Sequence, residues 1–278
     1  MSTINTNINS LHVQSALTKN QREMTVTMQR LATGKRINNS SDDAAGLNIS
    51  EGMSAQIKGL GAAVRNANDA ISMLQTVDGG LSSQTSALQR MRELAVLAVN
   101  DTYSSAQKAA LSTEFTALRD QITSISTNTQ WNGMSVLSGS GGVAGVTANF
   151  QFQVGANAGD TMNISMASAS LTGMGLSASI EITTYDYANA AVSDIDAALT
   201  TLNTNRSTVG SVINRLTYAV DNLTNVMQNT EESKSKIADT DYANATSELA
   251  RQQIIQQAGT AMLAQANQMP SMVLALLK

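Results

Sequence analysis

The side chains that most often do chemistry are scarce in this sequence, and their spacing argues against chemistry where they occur. There is one histidine, His12, and no cysteine. A metal site of nitrogen or sulfur ligands needs at least a second such group, so His12 reads as a surface position and neither metal nor cofactor is expected. Asp42-Asp43 and Glu231-Glu232 are carboxylate pairs in sequence only. Neighbours on a helix project about 100° apart, so neither pair can flank one reacting atom as acid and base; a helix start suits the first and a solvated face the second. The run Gly139 to Gly145 lacks the Gly-Lys-Ser/Thr ending and the preceding buried strand of a phosphate loop. No catalytic residue is assigned, and the chain reads as a protein that is not an enzyme.

Composition narrows the partners. The net charge is −4, and no basic cluster exists beyond Lys35-Arg36. Phosphate backbones need a concentrated basic surface, so nucleic acid is not expected. The start Met1-Ser2-Thr3-Ile4-Asn5 has neither the basic residues nor the apolar core of a cleaved secretory signal. The apolar tail Met272 to Leu277 is too short to span a bilayer, so no membrane partner is expected either. Charged residues make up only 14% and aromatics 3%, which leaves Ala, Ser, Thr, Asn and Gln to cover the helix surfaces. Weakly charged faces of that kind suit close packing of identical subunits.

Two long seams must organise the chain. From Met53 to Val99 apolar residues alternate in 4,3 spacing through Met53, Ile57, Leu60, Val64, Ala67, Ile71, Leu74, Leu81, Leu88, Ala95 and Val99, interrupted by Asp78, Thr85 and Arg92. From Val192 to Met227 the pattern returns through Ile195, Leu199, Leu202, Val209, Ile213, Leu216, Val220 and Leu223, interrupted by Arg206. This spacing puts each seam residue on one side of a helix wound at 3.5 residues per turn, the coiled-coil condition. The first helix alone would be roughly 70 Å long at about 1.5 Å per residue.

Around the seams the punctuation is clear. Gly34 fits a helix C-terminal residue, and Ser40 with Asp43 forms an S-x-x-D capping box before the long helix. A third helix is predicted from about Ser105 to Asn128, followed by a turn at Trp131-Asn132-Gly133. Phe150, Phe152 and Val154, then Met162, Ile164 and Met166, alternate across a loop and predict a β-hairpin; a short strand is expected at Ser179 to Thr183. The last helix is predicted from about Tyr242 to Asn267, and both ends of the chain lack a clean seam. The fold class is thus mainly α: an elongated, coiled-coil-like bundle with a small β-hairpin region and termini that are disordered or helical, the ends being expected to order only on assembly.

Several ordered blocks carry a family resemblance. Ile4-Asn5-Thr6-Asn7, the run Leu31-Ala32-Thr33-Gly34-Lys35-Arg36-Ile37-Asn38 through Asp42-Asp43-Ala44-Ala45-Gly46-Leu47, Ile57-Lys58-Gly59-Leu60, Asn66-Ala67-Asn68-Asp69-Ala70, and the terminus Gln265-Ala266-Asn267-Gln268-Met269-Pro270 with Val273-Leu274-Ala275-Leu276-Leu277 resemble bacterial flagellins over about residues 1 to 168 and 187 to 278. The resemblance implies a structural subunit that polymerises with itself into a helical flagellar filament for motility. Residues 1–40 with 235–278 would line the inner tube, and residues 41–234 would form the outer bundle, with its β region at about 134–186. The chain looks like a short form without large outer variable domains. Ile4, Ile8, Leu11, Leu263, Val273, Leu274, Leu276 and Leu277 are the polymerisation residues implied. Implied partners are other copies of the chain, hook-associated junction and cap proteins and a flagellar export chaperone, and the implied location is extracellular, in the flagellum, after type III export.

Leu88 to Val96 is similar to the segment that the vertebrate Toll-like flagellin receptor reads in responsive family members. The resemblance implies Gln89, Arg90, Glu93, Leu94 and Glu114 as receptor contacts, with Arg90 as a donor fork and Leu94 as an apolar anchor; lateral subunit packing is the other role open to them. Leu97 departs from the Gln common at that place. A hook–filament junction protein, which shares the terminal helices and seams, is the alternative identity.

Overall fold

The computed structural model describes residues 6–139, 147–177 and 179–276. The chain folds as two compact units, residues 58–227 and residues 1–57 with 228–278. In order the elements are α1 (Ile8–Thr33), α2 (Ala44–Val99), α3 (Ser105–Asn128), β1 (Gln130–Trp131), β2 (Met134–Ser135), β3 (Thr147–Gln153), β4 (Thr161–Ala167), α4 (Tyr185–Ala238) and α5 (Tyr242–Leu276). The third helix has its predicted bounds. It opens on a reciprocal cap: the Gln107 N–H donates to Ser104 Oγ at 3.4 Å, and the Ser104 N–H donates to Gln107 Oε1 at 2.9 Å.

In the unit of residues 58–227, α2, α3 and α4 share one apolar core. Both seams exist, but each is displaced along one half of its positions. On α2 the series Leu60, Ala67, Leu74, Leu81, Leu88 and Ala95 is buried as expected. Its companions are Ala63, Ala70, Val77, Gln84, Met91 and Ala98, one residue before the expected Val64, Ile71, Asp78, Thr85, Arg92 and Val99. α4 repeats the shift: Ile195, Leu202, Val209 and Leu216 are deep, and Ala191, Ala198, Asn205 and Val212 lie beside them where Val192, Leu199, Arg206 and Ile213 were expected. The larger side chains flank the seam, and several pack against the core from its rim. Small Ala and amide residues take the centre, where helices approach most closely, and the larger apolar residues beside them are the ones a periodicity reading selects.

Two of the polar interruptions find each other, and a third meets a carboxylate outside the seam. Arg206 Nε donates to Asp78 Oδ1 at 3.0 Å, and Arg92 grips Asp196 through Nε at 2.6 Å and Nη2 at 3.2 Å. Two buried amides then tie the helices to the β region: Gln84 Nε2 donates to the Ala169 carbonyl at 3.0 Å, and Asn205 Nδ2 to the Ala167 carbonyl at 3.2 Å. These donors are paired in this register and would lose their acceptors in a shifted one, although Gln84 Oε1 stays buried without a partner.

β3 and β4 pair antiparallel with Phe150 opposite Ile164 and Phe152 opposite Met162, which is the expected hairpin. The turn at Trp131-Asn132-Gly133 is tighter than a generic turn. Asn132 (φ 49°) and Gly133 (φ 78°) link β1 to β2 as a two-residue hairpin with both central residues left-handed, for which Asn-Gly is the favoured pair. The strand expected at Ser179 to Thr183 is absent among the described residues. Ile180 and Ile182 are buried, so the alternation was real, but no neighbouring strand takes up the backbone groups. The Gly-rich stretch is described only at Gly139, residues 140–146 lying outside the described residues.

In the other unit α1 packs along α5. The expected end of α5 at Asn267 is overrun: the helix continues through Pro270 to Leu276. Among the described residues, neither α1 nor α5 contributes to an apolar core cluster. Among the residues of α1 only Asn20, Met24 and Thr27 are buried, and two of those are polar.

Candidate assembly and recognition surfaces

Around Gly34 the sequence block that carries the resemblance forms a clamp between two turns. Gly34 ends α1 with φ 71°, a left-handed conformation that a Cβ makes costly, and a Cβ there would also meet Tyr242 Oη at 3.2 Å. Tyr242 in turn donates to the Leu31 carbonyl at 3.3 Å. Lys35 and Asp239 form an antiparallel bridge, the Arg36 N–H donates to the Ala238 carbonyl at 2.7 Å, and the Thr240 N–H donates to the Gly34 carbonyl at 2.9 Å. The Arg36 guanidinium adds bonds to the Ile237 carbonyl at 3.2 and 2.7 Å. The clamp thus joins the start and end of the chain through backbone groups that any sequence with the right turn residues would supply.

The start of α2 departs from the expected capping box. The helix begins at Ala44, and Asp43, not Ser40, caps it: Asp43 Oδ1 accepts the Gly46 N–H at 2.8 Å. Asp42 instead holds the preceding turn, its Oδ2 accepting the N–H groups of Asn38 at 3.1 Å and Asn39 at 3.0 Å. Those two bonds, Asn39 first, hold the Asp42 carboxyl below its ordinary range. The adjacent carboxylates therefore have separate structural duties. A Cβ at Gly46 would come within 2.4 Å of Asp43 Oδ2 and 2.7 Å of Ile37 Cδ1, so the capping carboxylate and the buried Ile37 side chain would both have to shift.

Along the α1–α5 pair the contacts are mostly polar. Asn7 Nδ2 donates to the Ala266 carbonyl at 2.7 Å, Ser10 Oγ to Asn267 Oδ1 at 2.9 Å, Asn20 Nδ2 to the Gln252 carbonyl at 2.9 Å, and Gln256 Nε2 to Gln21 Oε1 at 3.0 Å. Several apolar side chains face outward, Ile8 being 52% exposed, Leu11 57%, Ile254 66% and Met262 58%, whereas Met24 and Ala266 are buried. Leu263 is half-buried. Ile4 and Leu277, and the side chains of Val273, Leu274 and Leu276, lie outside the described residues. His12 sits exposed beside a small apolar cavity lined by Val13, Ala16, Leu17, Ile255, Gly259 and Met262. Among the described residues no group of His, Cys, Asp or Glu is arranged to hold a metal ion.

On α2 and α3 the residues singled out for recognition separate into two groups. Gln89, Arg90, Glu93 and Glu114 are exposed. Arg90 bridges the two helices, its Nε and Nη2 reaching Glu114 Oε1 at 2.9 and 2.8 Å and its Nη1 reaching Glu93 Oε2 at 2.7 Å. Glu114 first, then Glu93, raises the Arg90 pKa further above its already high value. Leu94 does not belong to this surface. It is 1% exposed, next to Ala95 in the displaced seam, and its side chain is spent on the core. A reading that takes Leu88 and Ala95 as the edges of the seam leaves Leu94 outside; the burial of Met91 and Ala98 brings it in. Val96, 48% exposed, is the apolar residue that this stretch shows to solvent.

Comparison with known proteins agrees with this architecture. Residues 4–141 match the family model described as the bacterial flagellin N-terminal helical region, and residues 192–277 match the bacterial flagellin C-terminal helical region. The chain is 39% identical to the flagellin of Halalkalibacterium halodurans over 276 residues, covering 99% of each. It is 36% identical to the flagellar filament core protein flaB2 of Brachyspira hyodysenteriae, covering 96% of each. A structure of a putative flagellar hook-associated protein from Vibrio parahaemolyticus shares the fold, with a TM-score of 0.57 at 15% identity over 71% of this chain and all of that one. Near-complete coverage by flagellins of similar length decides between the two identities and shows the form to be a short one. The chain belongs to the bacterial flagellin family, the structural proteins of the flagellar filament.

Proposed function

We propose that α1 and α5 form the polymerisation surface through which copies of this chain build the filament, Ile8, Leu11 and Leu263 contributing from the described residues and Ile4, Val273, Leu274, Leu276 and Leu277 from the chain ends. One observation carries this reading: the α1–α5 pair leaves Ile8, Leu11, Ile254, Ile255 and Met262 exposed, and among the described residues it contributes to no apolar core cluster. Apolar surface of that extent, held on paired helices and flanked by amides, is covered when copies pack together. Residues 1–40 with 235–278 would then line the inner tube. Before assembly the chain is exported to the cell exterior by the flagellar route under a dedicated chaperone, and hook-associated junction and cap proteins bound the growing filament. Seeded growth from sheared filaments tests the surface. Ile254→Asp, which places a charge where apolar contact is proposed, should raise the critical concentration by about a hundredfold or abolish growth. Growth at the wild-type threshold would remove α5 from the polymerisation surface.

The exposed Arg90–Glu93–Glu114 cluster supports a second reading, recognition of the monomer by the Toll-like flagellin receptor. Arg90 is held in one orientation by two carboxylates, which lowers the ordering cost for a partner that reads the cluster as a unit together with Gln89. Leu94 has no part in it. Loss of a guanidinium at the centre of an interface commonly weakens binding about thirtyfold. Receptor-reporter cells should therefore respond far less to Arg90→Ala monomer than to wild type, while the thermal midpoint moves by no more than about 2 °C. Equal responses would leave Arg90 to packing alone.

A further inference from the structure

One side of the α1–α5 pair carries a polar groove made of two cavities, of about 580 and 590 Å³, that share Thr27, Arg30 and Glu248. Its charges do not cancel. Each carboxylate lining it is already engaged: Glu23 faces Lys19 at 3.9 Å, Glu248 is paired with Arg251, and Asp241 caps α5 by accepting the N–H groups of Ala243 and Asn244. Arg36 is turned toward the Ile237 carbonyl and Asp43. Two guanidinium groups are left over. Arg22 is exposed and has no ion-pair partner among the described residues; Arg30 has none within 4 Å, its Nε donating to the Arg36 carbonyl at 3.1 Å and its charge reaching the Asp42 carboxylate only at longer range.

Beside these unspent donors lie unspent acceptors. Gln252 is 3% exposed and lines the same cavity as Arg22 and Arg30. Its Nε2 donates to Glu248 at 3.1 Å, yet its buried Oε1 receives no hydrogen bond. Thr240 Oγ1, on the wall of the other cavity, is likewise buried without a partner. A buried polar atom left unpaired costs about 1–3 kcal/mol; unlike Gln84 Oε1 and Ser126 Oγ, which are unpaired inside the core, these two belong to residues that line an open groove where a further group can reach them.

We propose that this groove seats a carboxylate-bearing helix surface of a second copy of the chain, with the carboxylate between Arg22 and Arg30 and a neighbouring hydroxyl or amide donating to Gln252 Oε1. The occupant is argued from charge. The chain is acidic overall, and it leaves Glu51, Asp194, Asp221 and Glu231 exposed on helix surfaces without ion pairs among the described residues. Those helices are also rich in Ser, Thr, Asn and Gln, which supply the second donor. An acidic surface meeting a basic groove fixes the register between copies, a task for which an apolar face alone is poorly suited. The proposal rests on the reading of the chain as a self-assembling subunit.

Seeded growth of the full-length protein tests it. The double variant Arg22→Gln/Arg30→Gln should raise the critical concentration at least about tenfold, and Arg22→Lys/Arg30→Lys should raise it less, with monomer helicity unchanged in both. Wild-type growth should also weaken between about 0.02 and 0.3 M NaCl, because screening opposes a charge contact while salt favours apolar burial. A double Gln variant that grows at the wild-type threshold would overturn the proposal and leave self-assembly standing. If the variant loses helicity, the salt response of wild type decides, and a threshold that does not rise with salt overturns the proposal. Wild-type monomer that does not extend seeds at any salt would defeat the assembly reading and this one with it. Saturable binding of inorganic phosphate, lost in the double variant whose growth is normal, would assign the groove to a free anion and overturn the second-copy assignment.

Discussion

Asp42 shows how one side chain can hold a turn. Its carboxylate accepts two backbone N–H groups, and these bonds depress its pKa in the folded chain. The stabilisation is therefore fully present above the unfolded-state value near about 4 and is lost as pH falls through the lower folded value. Asp42→Asn keeps an acceptor but not the charge and should destabilise the unit of residues 1–57 and 228–278 by about 1 kcal/mol at neutral pH. The gap from wild type should close below about pH 4, as followed by urea unfolding at stepped pH; a gap that persists to about pH 2 would mean that the charge has no part in the turn. At this scale sequence reading was half right. It saw a helix start with extra negative charge at Asp42-Asp43, but it gave the cap to Ser40, because the motif S-x-x-D does not reveal which residue leaves the helix. Likewise Gly34 was legible from its place after a helical run, whereas the close approach of Ile37 and Asp43 to Gly46 has no sequence signal.

Among the elements, the long helices were legible and their contact faces only partly so. Apolar periodicity locates α2 and α4, but it weighs Val64, Ile71, Leu199 and Ile213 above Ala63, Ala70, Ala198 and Val212, and the structure ranks them the other way. Close helix packing selects small residues at the centre, which hydrophobicity cannot predict from one chain. The interruptions are informative for the same reason. Asp78 and Arg206 look like faults in two separate seams and turn out to be one ion pair, with both side chains about 40% exposed. A double-mutant cycle with Asp78→Ala and Arg206→Ala should give a coupling of about 0.5–1 kcal/mol in thermal or urea unfolding. Exchange of the two charges, Asp78→Arg with Arg206→Asp, should recover part of it. A coupling near zero would reduce the pair to an incidental surface contact.

For the whole molecule, the division of labour follows burial. The unit of residues 58–227 owns the continuous apolar core, with Leu74, Leu81, Phe115, Ile122, Ile195 and Leu202 fully enclosed. Among the described residues, α1 and α5 contribute nothing to it. Since local stability tracks enclosed apolar contact, the terminal helices should open far more often than the core in the free monomer. Limited proteolysis should accordingly trim roughly the first forty and last forty residues while sparing 58–227, and the same sites should be protected in filaments. Full resistance of the ends in a verified monomer would show that polar contacts alone, such as Asn20 to Gln252, suffice to hold them. The surface proposed for the receptor belongs to the stable unit, so trimmed monomer should keep its response.

By itself the sequence determined the helical class, the bounds of α3, the β3–β4 hairpin and the family, because periodicity, turn chemistry and ordered motifs are local properties. Tertiary structure alone decided which half of each seam lies deepest, that Leu94 belongs to the core, that Ile180 and Ile182 are buried without forming a strand, and that Arg22 and Arg30 make no close ion pair among the described residues. Each of these depends on what lies across from a residue, and a linear pattern records a residue's neighbours along the chain but not those across a packed interface.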